Sequence, residues 1–217
     1  MNKKPIITPN AAKTEGDHKT NYQKKLKLMQ MSFRELLTIF HGMGFGGLLL
    51  LAFSGALIQL YRIFTPDGSS PLSAWEQRLL RFYLVGMAAL AWGTVLSGAY
   101  VVYPWYRAHP PAGITDLAAY PQRSLLASPA TAGWHNLGME WKEHVAWFAP
   151  IALTMVAYVF IKYGSSLSKH RQVRQAAFVF AVVAFIATSI AASFGALINK
   201  NAPLRGGTVI KLMEGTK

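Results

Sequence analysis

The sequence predicts an all-α integral membrane protein: a four-transmembrane-helix bundle with a polar basic N-terminal tail. Composition is the first observation. Of 217 residues, 52% are hydrophobic and only 14% charged, against about 25% charged in an ordinary soluble domain. Distribution is the second. The apolar residues fall into four blocks free of Asp, Glu, Lys and Arg, each about 17–25 residues long, enough to cross roughly 30 Å of hydrocarbon as a helix. The third is the position of the amphipathic rings. Tyr61, Trp75, Tyr83, Tyr103, Trp105, Tyr106, Trp141, Trp147 and Tyr163 sit where blocks end, at the depth where such rings prefer the headgroups. Strict alternation of apolar and polar residues is absent, which argues against a membrane β-barrel. With no cysteine, disulfides, cysteine-held iron–sulfur clusters, thioether-attached haem and thiolate metal sites are excluded.

Residues 1–31 form the polar tail, with Lys3, Lys4, Lys13, Lys19, Lys24, Lys25 and Lys27 against Glu15 and Asp17. The first long apolar run begins too late for a secretory signal, and no small-residue cleavage site stands at a suitable distance. Tyr22, Leu26, Met29 and Phe33 follow i, i+4, i+7 and i+11. That spacing predicts a short amphipathic approach on the membrane surface; a solvated tail is the alternative. The membrane domain is expected over 32–199, with spans at about 33–63, 79–106, 142–163 and 174–198. The first block runs from Leu36 to Leu60 and ends in a polar cluster from Thr65 to Ser70. The second runs from Phe82 to Tyr103 between Arg81 and Arg107. The third runs from Val145 to Ile161, and the fourth from Ala176 to Ile198. A long loop is expected over 108–140, where Pro110, Pro111, Pro121 and Pro129 prevent one continuous helix. A polar C-terminal tail covers 200–217. No internal repeat is found.

The net charge of +13 accordingly reads as membrane surface, and no nucleic-acid partner is expected, since no fold signature accompanies the basic tail. With the N-terminus inside, the inner side carries the basic approach with Arg107, Arg123, Lys142, Lys200, Arg205 and Lys211. The outer side carries Arg62, Arg78, Arg81, Lys162, Lys169, Arg171 and Arg174. The lysine-rich approach favours cytoplasmic N- and C-termini, while the third loop pulls the other way.

Signatures of soluble enzymes are missing: no Walker loop, no G-x-G-x-x-G after a strand, no G-x-S-x-G and no H-E-x-x-H. Gly42 with Gly46, Gly93 with Ser97, and Ser189 with Ser193 are small-xxx-small pairs suited to close helix packing. Chemistry falls to the histidines. His41 lies about two turns into the first span, and ionisable residues inside membrane helices are functional candidates. Gly44 is about 60° from it on the helical wheel, leaving a bare flank where a porphyrin could lie. A hydrogen bond to a neighbouring span is the alternative for His41. Glu140 and His144 are i, i+4, so the carboxylate can orient the imidazole or share a metal. On one helix His135 and His144 are about 180° and roughly 13 Å apart, which makes them separate elements unless the helix breaks at Gly138. The alternative is an interfacial cap of Trp anchors and solvated charges. In a four-span topology His41, His109, His135 and His144, four of the six histidines, share one membrane side. Spans two and four hold none, so one b-type haem on His41 and His144 is the most the spans support, with His135 the competing second ligand. Tyr100, Tyr103, Trp105 and Tyr106 line that haem, an adjacent quinone pocket, or only the interfacial belt. A di-iron site would need Glu-x-x-His on two helices, and only one Glu–His pair is present. No acid lies within any of the four apolar blocks, which disfavours a proton relay.

On span count, short loops and the placement of His41 and His144, residues 33–198 resemble the four-helix membrane cytochrome b-type subunits that anchor bacterial redox complexes. The resemblance implies haem b, electron exchange with quinone, and partner subunits in the bacterial inner membrane. The expected function is therefore a haem b electron-transfer subunit of a respiratory or photosynthetic complex. The second reading is a non-catalytic scaffold or accessory subunit. A transporter is disfavoured because no span is interrupted near its middle.

Overall fold

The computed structural model describes residues 30–64 and 73–211. The expected lysine tail, most of the amphipathic approach from Tyr22, the polar cluster at 65–70 and the last six residues lie outside the described residues. The chain divides into two compact units, one of residues 1–33 and 206–217 and one of residues 34–205. In the first, β1 (Gln30–Ser32) pairs antiparallel with β2 (Val209–Lys211), Met31 opposite Ile210, and the Phe33 amide donates to the Thr208 carbonyl at 2.9 Å. This two-stranded pairing, which the sequence does not announce, brings together the segments before the first span and after the last.

The second unit is helical. Four helices among the described residues are long and apolar enough to cross a membrane: α1 (Phe33–Arg62), α2 (Ala74–Tyr106), α4 (Pro129–Tyr163) and α5 (Arg171–Asn201). The short α3 (Pro121–Leu126) precedes α4. Helix α2 begins five residues before the expected 79 because Ser73 and Glu76 close a capping box. The Glu76 amide donates to Ser73 Oγ at 3.2 Å, and the Ser73 amide to the Glu76 carboxylate at 2.8 Å. The segment expected as loop over 108–140 is helical from Pro121 onward. Pro121 and Pro129 occupy first-turn positions, where a missing N–H costs no hydrogen bond, so they start helices instead of breaking one. Within α4 a turn at 145–147 lies just ahead of Pro150, whose ring denies an amide donor to the preceding turn.

Each helix presents one apolar seam inward. Leu49, Phe53, Ala56 and Leu60 of α1 follow i, i+4, i+7 and i+11, and all are buried. They meet Leu84, Met87 and Ala91 of α2, Leu153, Val156 and Phe160 of α4, and Ala181 and Ala184 of α5. Helix α1 packs on α2 and α5, and α4 packs on the same two, which sets α1 and α4 across the diagonal. The opposite faces are apolar as well: Leu51 is 70% and Phe82 71% exposed, which suits a lipid environment better than water. Polar groups on the helices find local acceptors. Tyr83 donates to the Ala52 carbonyl at 2.6 Å, an approach that Gly55 permits because a Cβ there would stand 2.8 Å from the hydroxyl.

Candidate functional site

Three stretches widen to π-helix, in which the backbone bonds skip an extra residue: Phe40–Gly47, Gly98–Val102 and Trp134–Met139. Each contains glycine, whose backbone tolerates the change, and the second sits just before Pro104, which cannot donate into the turn. All three lie where α1 begins, α2 ends and α4 begins. Such widened turns recur at functional sites, and here they carry or touch the histidines singled out in the sequence.

His41 is on the first. Its Nδ1 lies 3.0 Å from Ser97 Oγ on α2, while the Ser97 hydroxyl donates to the Thr94 carbonyl at 3.1 Å. The one proton of the serine is thus committed, so His41 Nδ1–H donates to Ser97 and Nε2 keeps its lone pair. The clearance beside the ring comes from Gly98: a Cβ there would stand 2.7 Å from His41 Cε1 and 3.3 Å from Nε2. Gly44, expected to leave the bare flank, abuts the Phe40 ring of its own helix, 3.3 Å from where its Cβ would be. The small-residue pairs act at the same contact, with Gly93 against Phe45 and Gly46 beside Thr94.

His135 is on the third stretch, and both its nitrogens are engaged. Nδ1 lies 2.8 Å from the Tyr106 hydroxyl and Nε2 3.3 Å from the Gln122 side-chain nitrogen. The amide can only donate, so Nε2 accepts and Nδ1–H donates to Tyr106. Tyr106 and Gln122 are buried, and the three side chains clip the end of α2 to α3 and α4. Tyr103 joins this cluster instead of His41. Its ring stacks on Tyr106 with centroids 6.4 Å apart, and its hydroxyl accepts from Arg107 Nη1 at 2.7 Å. It also shares a hydrogen bond with Glu143. That hydroxyl bond, with the carboxylates of Glu143 and Glu140, raises the Arg107 guanidinium above its ordinary range.

His144 stands apart. Its side chain is 72% exposed, its Nδ1–H donates to the Glu140 carbonyl at 3.0 Å, and the Glu140 carboxylate lies 3.5 Å away. The partner is the i−4 residue, but the imidazole N–H goes to its backbone carbonyl and not to the carboxylate expected to orient it, and Nε2 is left without a partner among the described residues. No hydrogen bond, ion pair or ring contact joins His41 to His144 among the described residues. Gly138 does not break α4; it lets Phe194 of α5 approach, 3.0 Å from where its Cβ would be. No group of three or more His, Asp or Glu that could hold a metal ion is found among the described residues, so the Glu140–His144 pair has no third ligand.

Residue types along the chain did not single out Gly98 or Gln122, and marked Arg107 only as a boundary charge and Ser97 only as a packing residue. Gly98, Ser97 and Gln122 act through contacts with residues distant in sequence, 56 positions apart for His41 and Ser97. In comparisons with known proteins no family model matches the chain, and neither a curated protein nor a solved structure does.

Proposed function

We propose that this chain is a four-helix-bundle membrane subunit that binds one b-type haem through His41, with His144 as second ligand, and moves electrons for a larger complex. The observation that carries the reading is the division of nitrogens. An imidazole that ligates through one nitrogen gives the other N–H to a fixed acceptor. His41 does so to Ser97, and His144 to the Glu140 carbonyl. His135 has neither nitrogen free, which speaks for His144 as the second ligand. When bound, haem supplies one-electron redox chemistry. The part of this chain is to hold the imidazole of His41 in one tautomer and to keep water away with the apolar walls of α1 and α2. Tyr103, Tyr106 and Arg107 put hydroxyl and guanidinium donors at the same end, the chemistry that quinone carbonyls accept.

The reading puts the protein in the bacterial inner membrane, with both termini cytoplasmic, other subunits as partners and no nucleic acid bound. The β1–β2 pairing supports an even number of crossings, because the two paired segments share a side. One observation favours a second reading, a non-catalytic accessory subunit: His144 is exposed, on a helix diagonal to that of His41, and must swing inward to share an iron with it. The reduced-minus-oxidised visible spectrum of the full-length protein, purified in mild detergent with haem supplied during growth, decides between them. A b-type band lost in His41→Ala and His144→Ala and kept in His135→Ala is expected. Absence of the band in the wild type leaves the accessory reading, and loss in His135→Ala reassigns the second ligand.

A further inference from the structure

In the first half of α4, just past its π-helical stretch, two neighbouring donors face α5 and find no acceptor among the described residues. The Trp141 indole Nε1–H is buried without a hydrogen-bond acceptor, its ring lying against Phe194 with centroids 6.5 Å apart. Lys142 reaches the next residue of the same helix, its Nζ 3.2 Å from where a Cβ on Gly195 would stand. Among the described residues no carboxylate or other acceptor pairs with that ammonium. The acids beside it in sequence are turned elsewhere: Glu143 toward Tyr103, Tyr106 and Arg107, and Glu140 toward His144. The charge of Lys142 acts on His41. A part-buried cation and a buried N–H left without partners are each unfavourable. Each calls for an acceptor oxygen, and a carboxylate carries two, with the countercharge that the ammonium lacks. Gly195 makes the place: any side chain there would occupy the position of the ammonium.

We infer that Trp141 and Lys142 form a carboxylate-binding site against Phe194 and Gly195 of α5. Its ligand is an amphiphile with an apolar body and a carboxylate head. A haem propionate is the first source, and in that form the inference rests on the haem reading above; a free fatty acid offers the same group without it. Lys142 supplies the charge, Trp141 the directed hydrogen bond, and the apolar surface around Phe194 the wall for the body of the ligand.

The test uses the full-length protein in phosphatidylcholine nanodiscs and two matched ligand pairs. Iron protoporphyrin IX is titrated against its dimethyl ester, followed by absorbance, and parinaric acid against its methyl ester, followed by fluorescence. The wild type is expected to bind the free acid about tenfold more tightly than the ester, the scale of one charge-assisted hydrogen bond. Lys142→Gln is expected to erase that preference, Lys142→Arg to retain it, and Trp141→Phe to reduce it about threefold. Wild-type affinity of Lys142→Gln for the two esters shows that its loss of preference is not a failure to fold. If neither porphyrin binds while parinaric acid is preferred over its ester through Lys142, the site stands and the haem reading falls. Equal affinity for acid and ester in the wild type, or a preference that survives Lys142→Gln, overturns the site and leaves the haem reading to its spectrum. No binding of any of the four ligands overturns both.

Discussion

His41 and His135 stand at the same end of the helices, both on π-helical turns and both with a hydroxyl on Nδ1. They differ in the second nitrogen. Gln122 closes that of His135. For His41 no side chain among the described residues bonds the second nitrogen, and the ring lies against the backbone at Gly98. The first arrangement is complete without a ligand and holds three segments together. The second leaves one nitrogen without a side-chain partner. Histidine content therefore says little about ligation until both nitrogens are accounted for.

Substitutions at the two histidine sites should break this contrast in opposite directions. The largest effect is expected from Gly98→Val, which drives a side chain into the His41 ring. Overpacking of this kind costs about 3 kcal/mol, and thermal unfolding in detergent should drop accordingly, together with complete loss of any haem band. Tyr106→Phe comes next. It leaves a part-buried His135 N–H without its acceptor, at about 1 kcal/mol, and should lower the melting temperature while the visible spectrum stays as in the wild type. Ser97→Ala removes the acceptor that orients His41. Haem affinity in an absorbance titration should fall about tenfold, in the range found when such orienting partners are removed, with little change in melting. A spectrum that moves in Tyr106→Phe and not in Ser97→Ala would invert the assignment. The smallest effect, about 1 kcal/mol of stability and no change in haem affinity, is expected from Ser73→Ala, which opens the α2 cap at the far end of the helices.

The four helices were legible in the sequence because uncharged runs of that length have few other stable forms. Helices α1 and α2 finish at Arg62 and Tyr106. The segments that connect and flank the helices were less legible. Prolines that usually mark a loop open α3 and α4, since the same residue ends a helix from its interior and starts one from its first turn. The strand pair β1–β2 joins residues 30–32 to 209–211, a contact whose partners no local pattern connects. Within the candidate site, His41 was legible as an ionisable group in an apolar run, and the orienting role of Glu140 toward His144 as an i, i+4 spacing. Tyr103, read as lining the haem, a quinone pocket or only the interfacial belt, packs in the His135 cluster, its ring stacked on Tyr106 and its hydroxyl on Arg107, contacts that residue type alone does not announce.

By itself the sequence determined that the chain is helical, that four of its segments suit hydrocarbon, and which few side chains can do chemistry there. Those properties depend on residue type and on spacing along one helix, and both are written in the order of residues. Only the tertiary structure decided which nitrogens of His41, His135 and His144 are occupied, that Gly98 and not Gly44 opens the space beside His41, and that Lys142 meets Gly195 with no counterion among the described residues. The physical reason is rotation. A helix of nearly uniform apolar character can turn about its axis at little cost in burial, so the azimuth of each side chain is set by how neighbouring helices interlock. Partners of His41 and Lys142 on other helices become visible only once that interlocking is known.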